Sequence, residues 1–348
     1  MAVKRHNRQS ASIKDVAEMA NVSISSVSRF LNGGYVSSAN RKRIGDAVNR
    51  LHYRPSRIAQ ALASEINPSI AVIAIDSSQL GPTLMLGGIE QKAREKGLAV
   101  TICVPETNKV VDIRHTLNAA LDQQPLGVLF MYPDMVDMRL HDIFPLDVPY
   151  VMITGEKADG FPDISLCDKD GGEIITRYLL SLGHETVYHV AVPVKSKTNR
   201  RMQGWAKALR DMGARVPEPI YSTWDPGEAR DIGRALALKE DVTAVFAGND
   251  ELAIGVISGL RDMGKRVPED VSVVGFDGHP LSGYWDPPLT TLRQNFAEAG
   301  RSSVDLLLRQ INGREQEEDE MVTDENNEDM RMDIHGKLII RGSASKPH

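Results

Sequence analysis

The sequence contains few cysteines and few aromatic residues, and it lacks any long apolar run. Of its 348 residues only two are cysteine, and Phe, Trp and Tyr together make up 5%. Cys103 and Cys167, each in an apolar strand-like run, are too few for a disulfide framework or a zinc cluster. No stretch approaches the ~20 apolar residues of a membrane helix, and no apolar run of a secretory signal follows the basic N-terminus. We therefore expect a cytoplasmic protein without a membrane partner.

Short motifs of common catalytic and nucleotide-binding sites are also missing. No G-x-G-x-x-G follows the first apolar strand, and neither G-x-x-x-x-G-K-[ST] nor G-x-S-x-G occurs. The nine histidines are scattered without the spacing of metal ligands, and the run between His184 and His189 is strand-like. We therefore expect no enzyme activity, no catalytic residue, no bound metal and no cofactor.

Charge is distributed unevenly along the chain. Residues 1–60 contain 11 Lys or Arg and only three Asp or Glu, whereas the whole chain has a formal net charge of −6. A basic head on an acidic body favours a polyanionic partner for the head. Charge alone leaves DNA, RNA and a membrane surface open.

The basic head has the pattern of three short helices. Ser12 and Asp15 fit a capping box for the first helix, Ser23 fits the N-cap of a second helix over 24–32, and Ser37 starts a third. Two short helices separated by a turn within a basic region indicate a helix-turn-helix. A basic three-helix scaffold with solvated charges remains the alternative.

In a helix-turn-helix the second helix enters the major groove with its N-terminus first. Ile24 and Ser25 would then meet base edges, and Arg29, one turn further on, could donate two hydrogen bonds to a guanine. Short polar side chains suited to phosphate oxygens lie nearby: Ser23, Ser26, Ser28, Asn32 and Ser37.

Residues 13–33 (IKDVAEMANVSISSVSRFLNG) and 35–64 (YVSSANRKRIGDAVNRLHYRPSRIAQALAS) resemble the DNA-binding head of the LacI/GalR family of bacterial transcription regulators. Ser26 stands where the family usually has Thr, and it keeps the hydroxyl. The resemblance implies a hinge within 56–67 that becomes helical only on operator DNA. It also implies that Leu62 and its dimer mate enter the minor groove and bend the duplex. Further DNA contacts are implied for Tyr53, Arg57 and Ala59. From the residues alone, Leu62 is an apolar residue at a helix end.

From residue 68 onward, strand-like apolar runs alternate with amphipathic stretches that end in glycine. The runs cover 70–75, 99–104, 127–131, 150–153, 186–192, 242–247 and 271–276. This alternation predicts an α/β fold with parallel sheets covered by helices, and its length favours two lobes. Residues 209–218 recur as 260–269 with one difference, which indicates one helix-to-strand connection used twice. The predicted domains are 1–55 for the head, 56–67 for the hinge and 68–348 for the body.

The body resembles the sensor domain of the same family, which is itself similar to periplasmic sugar-binding proteins. The matching motifs are R-M-x-G-W at 201–205, A-G-N-D at 247–250, VPEDVSVVGFD at 267–277 and PPLTTL at 287–292. The resemblance implies two lobes joined by three crossing strands, with a ligand between them at the carboxyl ends of the strands.

At the matched positions, several side chains suit a polyhydroxyl ligand. Arg201 offers a fork of donors, Asp277 accepts from hydroxyls, and Asn249 can donate and accept. Trp224 and Phe296 would cover the apolar face of a pyranose ring. The structural alternatives are a solvated Arg201, a helix cap at Asn249 and a core position for Phe296. We expect Asp250 to be the cap.

Near the C-terminus, residues 315–333 contain ten acidic residues and one base, which predicts a disordered or loosely held acidic insertion before a last strand at 337–341. No leucine heptads follow, which favours a homodimer over a tetramer. Together these features favour a repressor that binds a palindromic operator as a dimer and is released by a mono- or oligosaccharide. The alternatives are control by a corepressor such as a purine, control by a partner protein, or a sugar-binding protein or enzyme without DNA function.

Overall fold

The structure is a computed structural model that describes residues 11–31, 34–51, 53, 68–74, 79–107, 109–131, 148–155, 160–193, 199–317 and 330–348. The chain divides into two compact units, Met1–Asn67 and Pro68–His348, called the head and the body below. No helix among the described residues is long and apolar enough to cross a membrane.

The described part of the head contains three helices: α1 (Ile13–Ala20), α2 (Ile24–Leu31) and α3 (Ser38–Arg50). Ser12 and Asp15 form the predicted capping box, because each side chain bonds the backbone N–H of the other residue. Asn21, with φ 50°, ends α1 in the left-handed conformation. The helices pack around a small apolar core formed by Val16, Ala17, Ala20, Val27, Ile44 and Ala47.

The described residues of the body form two six-stranded sheets. Its strands are β1 (Ser69–Ala74), β2 (Ala99–Cys103), β3 (Gly127–Met131), β4 (Tyr150–Thr154), β5 (Asp163–Ser165), β6 (Tyr188–Ala191), β7 (Ile220–Tyr221), β8 (Ala244–Ala247), β9 (Ser272–Asp277), β10 (Thr290–Arg293), β11 (Arg331–Asp333) and β12 (Lys337–Ile339). The first sheet has the order β11-β5-β4-β3-β1-β2, and the second has the order β12-β10-β9-β8-β6-β7. All described pairings are parallel except that of β12 with β10.

Seven α-helices of the described body cover the sheets. They are α4 (Leu80–Glu95), α5 (Val110–Leu121), α6 (Asp168–Ser181), α7 (Arg200–Asp211), α8 (Pro226–Ala237), α9 (Asp250–Asp262) and α10 (Phe296–Glu317), and a 3₁₀ turn spans Pro280–Gly283. Each sheet has an apolar cluster on both faces, which is why its central strands are mostly apolar instead of alternating. We call the first sheet with α4, α5 and α10 the first lobe, and the second sheet with α6–α9 the second lobe.

Three short segments carry the chain between the two sheets, as the family resemblance implies. The first crossing (residues 166–167) joins β5 to α6, the second (294–295) joins β10 to α10, and the third (334–336) joins β11 to β12. Because α10 belongs to the first lobe and β12 to the second, each lobe is assembled from distant parts of the chain.

Reciprocal glycines hold three helix pairs in close contact. A Cβ atom added at Gly204 of α7 would lie 1.9 Å from the carbonyl oxygen of Lys169 in α6, and one at Gly172 of α6 would lie 2.2 Å from that of Arg201. Gly88 and Gly300 allow the same close contact between α4 and α10, and Gly233 and Gly259 allow it between α8 and α9. Only glycine allows backbones to approach this closely.

The repeated segment forms the same connection twice. Gly213 follows α7 with φ 68°, and Gly264 follows α9 with φ 79°. The prediction that glycine closes both helices is therefore confirmed.

The acidic stretch is more ordered at its ends than predicted. Helix α10 continues to Glu317, and Arg331–Asp333 form β11, which pairs in parallel with β5. The prediction of a loosely held insertion is therefore wrong for 331–333, because backbone pairing with an edge strand does not require an apolar sequence. Residues 318–329 lie outside the described residues. The last strand, β12, ends at Ile339.

Candidate DNA-binding and effector sites

Helix α2 presents its polar side chains away from the head core. Val27 is fully buried, whereas Ile24 is 45% exposed and Ser25 and Arg29 are also exposed. An isoleucine exposed at the first position of a helix contributes little to the fold. Its exposure suits contact with a thymine methyl group in a major groove.

The N-terminus of α2 carries a cluster of serine hydroxyls. Ser23 Oγ accepts a hydrogen bond from the backbone N–H of Ser26 at 3.2 Å, and it lies 2.8 Å from the hydroxyls of both Ser25 and Ser26. Ser37 Oγ similarly caps α3 by accepting from the backbone N–H of Asn40 at 3.4 Å. Because helix N-termini favour anions, hydroxyls at these positions can bind DNA phosphates.

The positive side chains of the head are exposed at Lys14, Arg41, Lys42 and Arg43. Tyr35, between α2 and α3, is 86% exposed and was not among the predicted contacts. The sequence did indicate its exposure, because Tyr35 is an aromatic residue in a short linker between two helices. Of the other predicted contacts, Ser28 is half-buried and Tyr53 packs partly against the head core. Asn32, Arg57, Ala59 and Leu62 lie outside the described residues.

The carboxyl edge of the second sheet holds a buried ionic group around Arg201, in the first turn of α7. Arg201 Nη2 lies 2.9 Å from Asp277 Oδ1 at the end of β9, and Nε donates to Asp168 Oδ2 at 3.2 Å. Nη1 donates to the carbonyl oxygen of Gly248 at 2.6 Å, and the guanidinium lies 4.0 Å from the ring centre of Phe276. A solvated Arg201 is therefore excluded.

Two carboxylates share this one guanidinium. Burial disfavours the charged form of Arg201, but Asp168 and Asp277 outweigh it and raise the pKa of Arg201, so the side chain remains a cation. Burial raises the pKa of Asp277, and Arg201 opposes this increase. A buried pair is costly unless its remaining polar atoms also find partners.

Gln294, in the second crossing, extends this group. Its Nε2 donates to Asp168 Oδ1 at 2.6 Å, whereas its buried Oε1 has no hydrogen-bond partner among the described residues. The buried hydroxyl of Ser222, directly after β7, likewise has none in the described part of the chain. Unpartnered buried polar atoms indicate a water or a ligand. We call Arg201, Asp168, Asp277 and Gln294 the Arg201 cluster.

Trp224 lies in the loop after β7, at the same edge of the sheet, and is 41% exposed. The parallel strands β6 to β10 all end at this edge, so the indole and the Arg201 cluster belong to one rim of the second lobe. A stacking role for Trp224 stays a prediction.

Asn249 and Phe296 are buried and stabilise the fold, so neither side chain is exposed to a ligand. Asn249 is 2% exposed, and its Oδ1 caps α9 by accepting from the backbone N–H of Leu252 at 2.8 Å. The predicted cap at Asp250 is wrong, because its carboxylate accepts from Thr291 Oγ1 at 2.6 Å and from the backbone N–H of His279, after β9, at 2.5 Å. Phe296 is 4% exposed in the core of the first lobe, since it opens α10.

Two members of the Arg201 cluster were missed from the sequence. Asp168 follows β5 by three residues and begins α6, whereas Gln294 directly follows β10. The available signal was a polar residue just beyond a strand. Neither strand was among the predicted runs, so neither residue was singled out.

A basic three-helix head and a two-lobed α/β body with a polar rim define a ligand-responsive DNA-binding regulator. A family described as "Bacterial regulatory proteins, lacI family" matches residues 12–56, and a "Periplasmic binding protein-like domain" matches residues 176–343. The repressor PurR of Photobacterium profundum is 30% identical over 347 residues, which cover 96% of this chain and 98% of PurR. The chain therefore belongs to the lacI family; it is a DNA-binding transcription regulator and not an enzyme.

Solved structures agree with this assignment. The Lac repressor dimer bound to operator and the anti-inducer ONPF has a TM-score of 0.84 and 27% identity, covering 97% of this chain and all of that one. A complex of the transcriptional regulator CelR with cellobiose has a TM-score of 0.66 and 26% identity, covering 96% of this chain and all of that one.

Proposed function

We propose that this protein is a cytoplasmic repressor that binds a palindromic operator as a homodimer and releases it when a small carbohydrate binds the second lobe. The observation that carries the DNA part is the exposed face of α2, where Ile24, Ser25 and Arg29 lie beside the serine cluster. Ile24 and Ser25 read base edges, and Arg29 reads a guanine.

Twofold symmetry and the hinge follow from this proposal. Two heads in a dimer read two half-sites, so the operator is palindromic. Residues 56–67 form the hinge on DNA, where Leu62 from each protomer enters the minor groove, and Tyr53, Arg57 and Ala59 contact the backbone. The Lac repressor structure, a dimer on its operator, supports this arrangement.

The Arg201 cluster supports the effector part of the proposal. Gln294 Oε1 and Ser222 Oγ are buried atoms without partners among the described residues, and both can accept from sugar hydroxyls. Trp224 covers the apolar face of a sugar ring, as in many concave ligand sites. Closure of the lobes on the sugar changes the hinge, and the coupling is reciprocal: operator DNA weakens sugar binding by the same factor. The cellobiose complex of CelR supports a carbohydrate.

A purine corepressor is the second candidate. It is favoured by the relative named PurR, which matches almost the whole chain. An indole and a carboxylate at the same sheet edge also suit a flat heterocycle with N–H donors. The two candidates predict opposite signs, because a corepressor strengthens operator binding whereas an inducer weakens it.

A DNase footprint on the promoter regions around the protein's own gene tests the proposal. We expect a protected palindrome with enhanced cleavage at its centre, and Leu62→Ala should lose the central enhancement because the wedge is gone. The footprint is repeated with panels of mono- and disaccharides and of purine bases. A footprint erased by one sugar supports the inducer, one strengthened by a purine replaces it with a corepressor, and one that no compound changes rejects both. No footprint at low salt, where phosphate contacts are strongest, contradicts DNA binding.

Trp224→Ala separates the two sites. Because Trp224 is exposed and far in sequence from the head, this variant should keep the footprint and lose the response to the effector. Deletion of residues 1–64 should do the opposite, abolishing the footprint and leaving effector binding intact.

A further inference from the structure

A thiol, a carboxylate and an imidazole meet where the chain passes between the two sheets. Cys167 lies in the first crossing, Asp170 in the first turn of α6, and His335 in the third crossing. One sulfur, one oxygen and one nitrogen from these side chains all lie within 4.8 Å of one another. None of the three belongs to the Arg201 cluster.

The local backbone explains how two of the groups come together. Cys167 occupies the N-cap position of α6 with φ 53° and ψ 43°, and Asp170 is the third residue of that helix. The two side chains therefore start within one helical turn, and the Cys167 sulfur lies within 4.8 Å of a carboxylate oxygen of Asp170. The third group comes from the segment after β11, which pairs with β5 immediately before the first crossing.

The polar contacts within the group are long. His335 Nδ1 lies 3.6 Å from Asp170 Oδ2, which is within reach of an ion pair but too long for a hydrogen bond. Cys167 Sγ lies 3.8 Å from Ser165 Oγ and 3.9 Å from the carbonyl oxygen of the same residue, which are contacts at the limit for sulfur.

Sulfur, nitrogen and oxygen donors in one group select a particular class of ion. Thiolate and imidazole bind Zn²⁺, Co²⁺ and related ions, whereas Mg²⁺ and Ca²⁺ prefer oxygen alone. Bonds of about 2.0–2.3 Å to a tetrahedral ion require the three donor atoms to approach one another slightly. Asp170 and His335 can move to do so, because their side chains are 58% and 60% exposed.

We propose that Cys167, Asp170 and His335 bind one zinc-class divalent ion, with water in the fourth position, and that this ion ties the first crossing to the third. On binding, the Cys167 thiol releases its proton to solvent and its sulfur forms the bond to the ion. Because the crossings connect the two lobes, the bound ion restrains their relative movement.

Titration of the full chain with Co²⁺, without a histidine tag, tests the site. We expect one ion per chain and a thiolate-to-cobalt charge-transfer absorption that Zn²⁺ displaces. Cys167→Ser should abolish this absorption, and His335→Ala should weaken Zn²⁺ binding more than about tenfold.

Two matched variants serve as controls. Cys103→Ser removes the other thiol, which lies in β2 at the opposite edge of the first sheet from β11 and β5. His115→Ala removes an exposed histidine of α5. Both should bind the ion like the unmodified chain.

The proposal is overturned if no stoichiometric binding occurs, or if Cys103→Ser and His115→Ala weaken binding as much as the site variants. It is also overturned if Cys167→Ser, shown to be folded by circular dichroism, keeps the absorption. Because His335 lies in an exposed connection, His335→Ala tests the site even if the cysteine variant does not fold.

Discussion

Replacement of Gly204 by alanine tests whether close packing of α6 on α7 positions the Arg201 cluster, the proposed effector site. The added Cβ would lie 1.9 Å from the carbonyl oxygen of Lys169, whereas ordinary contacts begin near 3.4 Å. The two helices must therefore separate by about 1.5 Å. Arg201 Nε lies 3.2 Å from Asp168 Oδ2, so this movement breaks a contact that is already near its limit.

The expected loss of stability follows from two opposing effects. Overpacking a rigid backbone contact costs about 3 kcal/mol, and alanine regains about 1 kcal/mol over glycine within a helix. We expect Gly204→Ala to lower the free energy of unfolding by about 2 kcal/mol, measured by urea denaturation with circular dichroism. We also expect more than about tenfold weaker response to the effector, since the arginine is displaced.

Two further variants distinguish a loss of stability from a displacement of Arg201. Gly300→Ala places a Cβ 2.2 Å from the carbonyl oxygen of Met85 in the first lobe, so it should lose similar stability without moving Arg201. Gly313→Ala, also in α10, meets nothing within 4 Å and should be neutral or slightly stabilising. If Gly204→Ala is as stable as the unmodified chain, or if Gly300→Ala weakens the effector response equally, packing of α6 on α7 does not position Arg201.

Other features give independent predictions. Arg29→Ala should cost about 1–3 kcal/mol of operator binding and relax preference at one base pair, whereas Lys42→Gln should weaken all sequences alike and reduce the salt slope by about one; binding assays at several salt concentrations distinguish them. Burial lowers the pKa of His189 to about 4. As the pH falls below about 6.5, the imidazole therefore binds a proton in the unfolded chain but not in the folded chain, which favours unfolding. The free energy of unfolding should fall by up to about 3 kcal/mol between pH 6.5 and 4, and a denaturation series in which His189→Phe keeps this dependence contradicts the assignment. Ser12→Ala should destabilise α1 by about 1 kcal/mol, and unchanged hydrogen exchange of α1 amides contradicts this.

Local features of the chain were predictable because they depend on neighbouring residues. The capping box at Ser12, the cap at Ser23 and the glycines that close α7 and α9 are set by contacts within a few residues. The exposed face of α2 also follows from helical spacing alone. The three crossings between the lobes were implied by the family resemblance and could not be predicted from periodicity.

The Arg201 cluster depended on contacts between distant segments. Asp168 and Gln294 are separated by 126 residues yet share a hydrogen bond, and spacing along the chain gives no sign of it. Phe296 and Asn249 were assigned to the ligand because their types suit one, whereas their positions at helix starts decide otherwise.

The sequence by itself determined the class of fold, the basic head, the helix boundaries of the head and the exposed face of α2, because these follow from residue type and short-range periodicity. Only the tertiary structure decided which charged groups meet at the sheet edge and which residues meet at the crossings. The physical reason is that parallel sheets bring together the ends of strands that are far apart in the chain, and side chains at those ends acquire partners from other segments.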